Sequence, residues 1–370
     1  MKQKAKIKFV QKNRTNFAAE LRKRVDAYFT DNQLSKHANA GMITKTVVML
    51  LLYILPIVGL MVFHQSTWQL TFSYALAGFA MAGIGMNVMH DANHHAYSSN
   101  PLVNKLAGSS LNLVGGIVFN WKMQHNILHH TYTNVYEMDD DIDDKLLFRL
   151  SPHSRLKKFH RFQHIYIFFF YAIMSLYWVT LKDIVQFIKY RKNGVNRSSQ
   201  REYTKNAFIL AFVKVFYFAY IIFIPVYYFG YTFGQVLFGF VVLHMVCGII
   251  LSVIFQLAHS VEEASHPVQN NQNEIENDWA IHQLQTTVNF ARKNRLITWY
   301  LGGLNYQVEH HLFPTICHVH YPAIAEIVKE TAEEYGIAYL EAPTFGAALR
   351  SHIQQLKALG SGSIPELQAA

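Results

Sequence analysis

The sequence has few charged residues and very little cysteine. Of its 370 residues only 15% are charged, whereas 51% are hydrophobic and 14% are aromatic. Ordinary soluble domains carry about 25% charged residues, so the composition argues against two soluble domains and is typical of a polytopic membrane protein. The two cysteines, Cys247 and Cys317, have neither metal-binding nor redox spacing. A disulfide framework is therefore excluded in practice.

Long parts of the chain also lack positive charge. No Lys or Arg lies between Lys45 and Lys105, or between Lys214 and Arg292. Because basic residues are concentrated in cytoplasmic loops, we expect the short connections 64–67 and 228–234 to lie outside the cytoplasm. The net charge of +9 suits an anionic lipid surface or an acidic substrate headgroup. Nucleic acid is the poorer interpretation, because the basic residues flank apolar stretches and form no recognisable nucleic-acid module.

Four apolar stretches are long enough to cross a hydrocarbon layer of roughly 30 Å as helices. They cover residues 46–63, 68–89, 207–228 and 235–257. We expect two hairpins with both chain ends inside. Of two further apolar stretches, 102–120 is predicted to be a re-entrant or surface-lying helix, and 165–181 a helix lying at the interface. The core of the first is too short to span, and the second has basic residues on both sides, against the positive-inside rule.

These features predict an all-α integral membrane protein with a polar helical cap in the cytosol. Residues 1–44 are expected to form a cytosolic basic arm and an amphipathic helix, because Phe17, Leu21 and Val25 recur at helical spacing. Residues 45–345 would form the membrane domain, and residues 346–370 a cytosolic helix and flexible tail. The first 40 residues are too charged to be a cleavable signal peptide, so we expect the N-terminus to be retained in the cytoplasm.

Histidine is concentrated in three clusters at the ends of apolar stretches. They are His90-Asp-Ala-Asn-His94-His95, His125-Asn-Ile-Leu-His129-His130 and Gln307-Val-Glu-His310-His311. Neutral imidazole binds iron, copper and zinc well, so the clusters predict a transition-metal site. Residues four apart share one face of a helix, and each such histidine pair can bind one ion. Adjacent histidines point about 100° apart, so two neighbouring metals fit better than one.

Other polar residues fit structural roles without metal. The acidic run from Met138 to Asp144 favours a solvated loop, with a role in tuning a metal left open. Isolated histidines such as His64, His153 and His352 are predicted to be hydrogen-bonded structural residues. For the clustered histidines metal binding is favoured over a structural role, because so many buried imidazoles without metal would leave many polar groups without hydrogen-bond partners.

Taken together, the clusters resemble the histidine boxes of the membrane fatty acid desaturase family. The likeness is nearest to acyl-lipid and acyl-CoA desaturases of the front-end or linoleoyl type, whose third box begins with Gln. Two further stretches support it, Gln256-Leu-Ala-His259 and Gly302-Gly-Leu-Asn-Tyr-Gln307-Val-Glu-His-His-Leu-Phe-Pro314. The resemblance covers about residues 40–340. It implies a four-helix membrane stem, a cytosolic cap, and a histidine-ligated di-iron centre that uses O2 to remove two hydrogens from an acyl chain.

The resemblance also implies roles for individual residues, with no catalytic residue beyond the metal ligands. The implied ligands are His90, His94, His125, His129, His130, His259, His310 and His311. Four neighbours are expected to support them from behind the ligand set, and whether His95 or Gln307 also touches metal stays open. Asp91 and Glu309 would orient ligand rings, Gln307 would hold a water or a ring, and His95 would lie just behind the ligands.

Partners and location follow from the same resemblance. The substrate would be an acyl-CoA or an acyl-lipid, and the active site would face the cytoplasm, with a bacterial inner membrane as the expected location. The chain contains no His-Pro-Gly-Gly element of a fused cytochrome b5. Desaturation needs two electrons from outside for each turnover, so a separate ferredoxin, or a cytochrome b5 with its reductase, is implied.

Four alternatives to desaturation fit the sequence to different degrees. A zinc hydrolase fits poorly, because the chain has no His-Glu-x-x-His element and more histidines than such a site uses. A metal transporter should carry histidine within its spans, where only His244 occurs. A fatty acid hydroxylase or a carotenoid ketolase shares the oxidant and stays open.

Overall fold

The structure is a computed structural model, and it describes residues 7–11, 15–64, 66–142 and 146–363. Most of the predicted basic arm and the last seven residues of the predicted tail lie outside the described residues. The chain divides into two compact units. The first contains Asn39–Met123 and Phe168–Val253, and the second contains the described parts of Lys4–Ala38, Gln124–Ile167 and Ile254–Ala370.

The described chain is mostly helical, as predicted. In chain order the main helices are α1 (Phe17–Asp31), α2 (Ala40–Val62), α3 (Thr67–Asn93), α4 (Pro101–Leu113), α5 (Val118–His129), α6 (Lys158–Lys192), α7 (Gln200–Tyr228), α8 (Phe233–His259), α9 (Trp279–Thr286), α10 (Arg295–Tyr300), α11 (Gln307–Leu312), α12 (Tyr321–Glu334) and α13 (Phe345–Ser361). Four two-residue strands form two parallel pairs. Strand β1 (Lys8–Phe9) pairs with β2 (Glu274–Ile275), and β3 (Asn289–Phe290) pairs with β4 (Glu341–Ala342).

Among the described residues, α2, α3, α6, α7 and α8 are long and apolar enough to cross a membrane. Three of the four predicted spans each lie within one of these helices, and the other, 46–63, extends one residue beyond the end of α2. The fifth candidate is α6. Its apolar stretch, 165–181, is predicted to lie at the interface, but the helix that contains this stretch is 35 residues long. Helices α4 and α5 meet at a bend of 106°, the geometry of a broken span or a re-entrant loop. That bend agrees with the re-entrant alternative for residues 102–120.

In the first unit, α2 and α3 form a hairpin whose ends are capped by side chains. Asn39 accepts a hydrogen bond from the backbone N–H of Met42 at 3.0 Å, and Ser66 forms a reciprocal capping box with Gln69. Such caps satisfy the N–H groups that the first turn of a helix leaves without partners. The polar connection between the two apolar stretches therefore supplies the cap that starts α3.

Helix α3 changes to π-helical winding at Ile84–Val88, just before the first histidine cluster. Asn87 in this segment accepts a hydrogen bond from Lys45 Nζ at 3.1 Å and donates one to the Gly83 carbonyl at 2.8 Å. One-turn π segments inside α-helices are frequent at functional sites, because they shift the face that the following residues present. Here the following residues are His90 and His94.

The second unit is built on a core to which four helices contribute. Helix α1 buries Phe17, Leu21, Val25 and Phe29, as its spacing predicts. These side chains pack in one apolar cluster with residues of α9, α11 and α12, including Val308 between Gln307 and Glu309. Burial of apolar side chains stabilises a fold by roughly 25 cal/mol per Å². The core therefore holds α11, which carries the third histidine cluster, in a fixed position.

Candidate metal centre

Six of the eight predicted ligand histidines lie in the second unit. His125, His129 and His130 lie at and just beyond the end of α5, which is π-wound from Lys122 to His129. His259 is the last residue of α8, and His310 and His311 are consecutive residues of α11. Segments that are distant in the sequence therefore bring six imidazoles into one compact unit.

One group consists of His129, His259 and His311. All three side chains are buried, and a ligand nitrogen of each lies within 4.8 Å of the others. The ring centroids are 4.7 Å apart for His129 and His259, 4.9 Å for His129 and His311, and 5.0 Å for His259 and His311. Each helix or turn thus contributes one ring to a common point.

Hydrogen bonds orient these three rings in the same way. The Nδ1 atom of His129 is 3.0 Å from Asp139 Oδ2, that of His259 is 3.3 Å from the Thr286 carbonyl, and that of His311 is 2.9 Å from Gln283 Oε1. An N–H at Nδ1 leaves a lone pair at Nε2. Within the part of the chain that the structure describes, none of the three Nε2 atoms has a hydrogen-bond partner.

A second group lies next to the first and shares one ring with it. His130, His310 and His311 have ligand nitrogens within 4.8 Å of one another. His125 extends this group, since its Nε2 is 3.2 Å from that of His130 and its ring stacks on that of His310 at 5.7 Å. The two groups are adjacent and share His311, and each of them could hold a metal ion.

The chemistry of these donors fits a transition metal. Burial, together with the neighbouring rings of His130 and His129, holds the pKa of His311 well below its usual value, so this imidazole is neutral and able to bind metal. Calcium and magnesium prefer oxygen ligands, whereas imidazole suits iron, copper, nickel and zinc. Each of the three buried Nε2 atoms without a hydrogen-bond partner carries a lone pair that a bound metal ion would accept.

The first cluster is in the first unit, at the end of α3. His90 and His94 are buried one turn apart, with ring centroids 4.9 Å from each other, and both rings contact the edge of Trp121. Asp91 is also buried, with Oδ1 4.0 Å from His90 Nδ1. The next histidine differs, because His95 is exposed and has a left-handed backbone with φ of 62°. The cluster thus presents one pair of rings on one helical turn.

The two predicted supporting residues of the third cluster are both buried. Glu309 accepts hydrogen bonds from Asn289 Nδ2 at 2.8 Å and from the Tyr339 hydroxyl at 2.9 Å. Burial raises the pKa of Glu309 to about 7, and these two hydrogen bonds oppose the rise. Gln307 lies beside the His259 ring.

Sequence reasoning missed several residues that hold the rings. The prediction of a solvated acidic loop is wrong for Asp139 and Asp140, because both are buried. Its position directly after the second cluster was the available signal. Thr286 and Gln283 gave no such signal, since nothing in the sequence shows that α9 folds back onto the histidines.

Comparison with known proteins identifies the family. The sequence model of the family described as "Fatty acid desaturase" matches residues 66–343. A sn-1 linoleoyl-lipid 6-desaturase of Synechocystis sp. is 36% identical over 97% of this chain and 99% of its own length. The enzyme of the same name from Arthrospira platensis is 36% identical over 95% of this chain and 94% of its own. An acyl-lipid (8-3)-desaturase of Physcomitrium patens is 32% identical over 96% of this chain and 74% of its own.

These matches extend over both units and include all three histidine clusters. They agree with the mostly helical fold, the apolar helices of a membrane protein and the groups of histidines that could hold a metal. The chain belongs to the fatty acid desaturase family, and it is an oxidoreductase that acts on fatty acids.

Proposed function

We propose that this chain introduces a double bond into the acyl chain of a membrane lipid, at a di-iron centre ligated by histidine. The proposed ligands are His90, His94, His125, His129, His130, His259, His310 and His311. The observation that carries the proposal is the convergence of three buried Nε2 atoms, from His129, His259 and His311, whose rings are held through Nδ1. The family to which the chain belongs supports iron as the metal.

The chemistry balances with one external reductant. A di-iron centre, when bound, would supply the reduction of O2 and the removal of two hydrogens from adjacent carbons. Reduction of O2 to two waters takes four electrons and four protons, of which the acyl chain supplies two of each. The donor supplies the other two electrons, and the solvent supplies the other two protons. The protein's own residues hold and shield the ligands. Asp139, Thr286 and Gln283 hold the Nδ1 protons and so keep the Nε2 lone pairs available. We propose a ferredoxin, or a separate cytochrome b5 with its reductase, as the donor.

The choice of a lipid-linked substrate rests on the relatives. The cyanobacterial proteins are named linoleoyl-lipid desaturases and the moss protein an acyl-lipid desaturase, and all three align over at least 95% of this chain. We therefore propose an acyl chain esterified in a lipid rather than bound to CoA.

The chain's own connectivity supports four membrane spans with the histidines on one side. His129 and His259 are in contact, so they lie on the same side of the membrane. Between them the chain contains three candidate spans, α6, α7 and α8. Three complete crossings would separate the two rings, so we propose that α6 lies along the interface, as its flanking basic residues favour. We place the site on the cytoplasmic face of a bacterial inner membrane, within a membrane desaturase domain of residues 45–345.

Supporting roles are proposed for the remaining predicted residues. Asp91 would orient His90, from which it is 4.0 Å away. Glu309 would steady α11 through Asn289 and Tyr339. Gln307 would hold a water near His259. The exposure of His95 weighs against metal binding by this residue.

Product analysis tests the proposal. The chain is expressed in a bacterial host that lacks polyunsaturated lipids and is fed linoleic acid, and lipid fatty acids are analysed by gas chromatography and mass spectrometry. We expect a product two mass units lighter, appearing first in intact lipids. A product sixteen units heavier would indicate a hydroxylase instead. Conversion of acyl-CoA alone by isolated membranes would contradict the lipid-linked substrate.

A further inference from the structure

We propose that Gln283 is a positioning residue that selects the metal-binding tautomer of His311 and ties the second histidine cluster to the third. This inference rests on the proposed function, because it assumes that His311 binds iron. Gln283 belongs to α9, outside every histidine cluster, and its side chain is fully buried.

The Gln283 amide has a partner on each side. Its Oε1 lies 2.9 Å from His311 Nδ1 and accepts a hydrogen bond from the Thr133 hydroxyl at 2.9 Å. Its Nε2 donates to the His130 carbonyl at 3.2 Å. The Thr133 hydroxyl is also 2.8 Å from the His129 carbonyl and 3.2 Å from His311 Nδ1, where its oxygen can accept the same N–H. One amide therefore touches the segment that follows α5 and a ring of α11.

The orientation of the amide decides the tautomer of the histidine. An amide oxygen can only accept hydrogen bonds, and an amide nitrogen can only donate them. Because Nε2 faces the His130 carbonyl, the atom facing His311 is Oε1, and the His311 Nδ1 must carry the hydrogen. The lone pair of this ring is then at Nε2, the atom without a hydrogen-bond partner in the described structure. His311 belongs to both histidine groups, and its single Nε2 lone pair can bind one ion, so the tautomer decides whether this ring can act as a metal ligand at all.

A purely structural role would give different results, and the chain contains a matched control. Gln163 is also fully buried and makes three hydrogen bonds, accepting from the Arg149 N–H and donating to the Arg149 and Leu356 carbonyls. None of these involves a histidine. Gln163→Met thus measures the cost of removing a buried amide away from the metal centre.

The test compares Gln283→Met, Gln283→Glu and Gln163→Met in the purified full-length protein. Iron per chain, the chelator concentration that removes half of the metal, and the visible spectrum of the cobalt-substituted protein are measured beside thermal stability. We expect Gln283→Met to weaken metal retention about 10- to 100-fold, the range found when such supporting partners are removed. Gln283→Glu should recover part of this loss, because its carboxylate also accepts from Nδ1. Gln163→Met should lower stability without changing metal retention or the cobalt spectrum.

Three results would overturn the inference: wild-type metal retention in Gln283→Met, no recovery in Gln283→Glu, or an equal metal loss in Gln163→Met. If Gln283→Met does not accumulate, Thr133→Val removes one contact of the same amide and the neighbouring contact with His311 Nδ1, and it should shift metal retention less, in the same direction. An unchanged Thr133→Val would then count against the inference. Failure of the proposed function looks different, since the wild-type chain itself would then hold no iron or form no desaturated product.

Discussion

The Nδ1 atom of His129 lies 3.0 Å from Oδ2 of Asp139, and each of the two side chains is only 1% exposed. The carboxylate also accepts the backbone N–H groups of Asn134 and Asp141, each at 3.0 Å. Burial raises the pKa of Asp139, but His129 and the two N–H groups lower it by more, so the net pKa lies below its usual value. The carboxylate stays charged and holds the imidazole in one orientation.

Removing this charge should impair the centre. We expect Asp139→Asn, which preserves the shape of the side chain, to lower desaturase activity and iron retention about 10- to 100-fold. Product yield and iron per chain are the measurements. Asp26→Asn is the matched control, because Asp26 is half-exposed and pairs with Lys36. Full activity with two irons in Asp139→Asn would show that His129 needs no carboxylate.

The effects of substituting two ligand histidines on product formation should not be additive. His129→Ala, His310→Ala and the double variant are each expected to abolish product, because one missing ligand already disables a centre that acts as a unit. Gas chromatography of lipids from expressing cells measures this. The exposed neighbour His95 gives the control, since His95→Asn should retain most of the activity. Wild-type product from His129→Ala would remove the di-iron interpretation.

Metal removal should be reversible with iron alone. Freshly purified protein is expected to contain two irons per chain, and stripping by a chelator should abolish activity. Iron(II) should restore it, whereas zinc should occupy the site without restoring turnover, because zinc has no redox chemistry. Metal analysis and product assays follow both steps. One zinc and no iron after expression in iron-replete cells would contradict the expectation.

Accessibility of single cysteines tests the topology. Both native cysteines are buried, so background labelling should be low. With α6 at the interface, Arg197→Cys should react only with a reagent that reaches the cytoplasm, and Gly234→Cys should react from outside. Both positions are exposed. The reverse pattern would mean that α6 crosses the membrane.

Close packing of two helices in the first unit can be tested with one methyl group. A Cβ added at Gly248 of α8 would lie 2.8 Å from the Tyr171 carbonyl oxygen of α6 and still nearer that of Ala172. Gly248→Ala should therefore destabilise the fold by about 1–3 kcal/mol, the usual cost of overpacking. Gly234→Ala in the same helix meets no atom within 4 Å and should melt like the wild type. Thermal unfolding in detergent compares the two.

Much of the candidate site could be predicted from local sequence pattern. The four-residue spacing of His90 with His94 depends only on helical geometry, and the structure places these rings on one turn. The apolar spacing of Phe17, Leu21 and Val25 likewise predicts α1 and its buried face. Asp139 escaped prediction, because an acidic run in a sequence does not show which of its carboxylates turns inward.

The sequence by itself determined the helices, the apolar stretches and the histidine clusters, because helical periodicity and hydropathy are properties of neighbouring residues. Only the tertiary structure decided which rings meet and which atoms hold them. The contact of His129 with His259 and His311, and the hydrogen bond from Gln283 to the His130 carbonyl, join residues more than 100 positions apart. Such contacts depend on how buried helices pack and on where each buried polar group finds a partner, and no local pattern encodes that outcome.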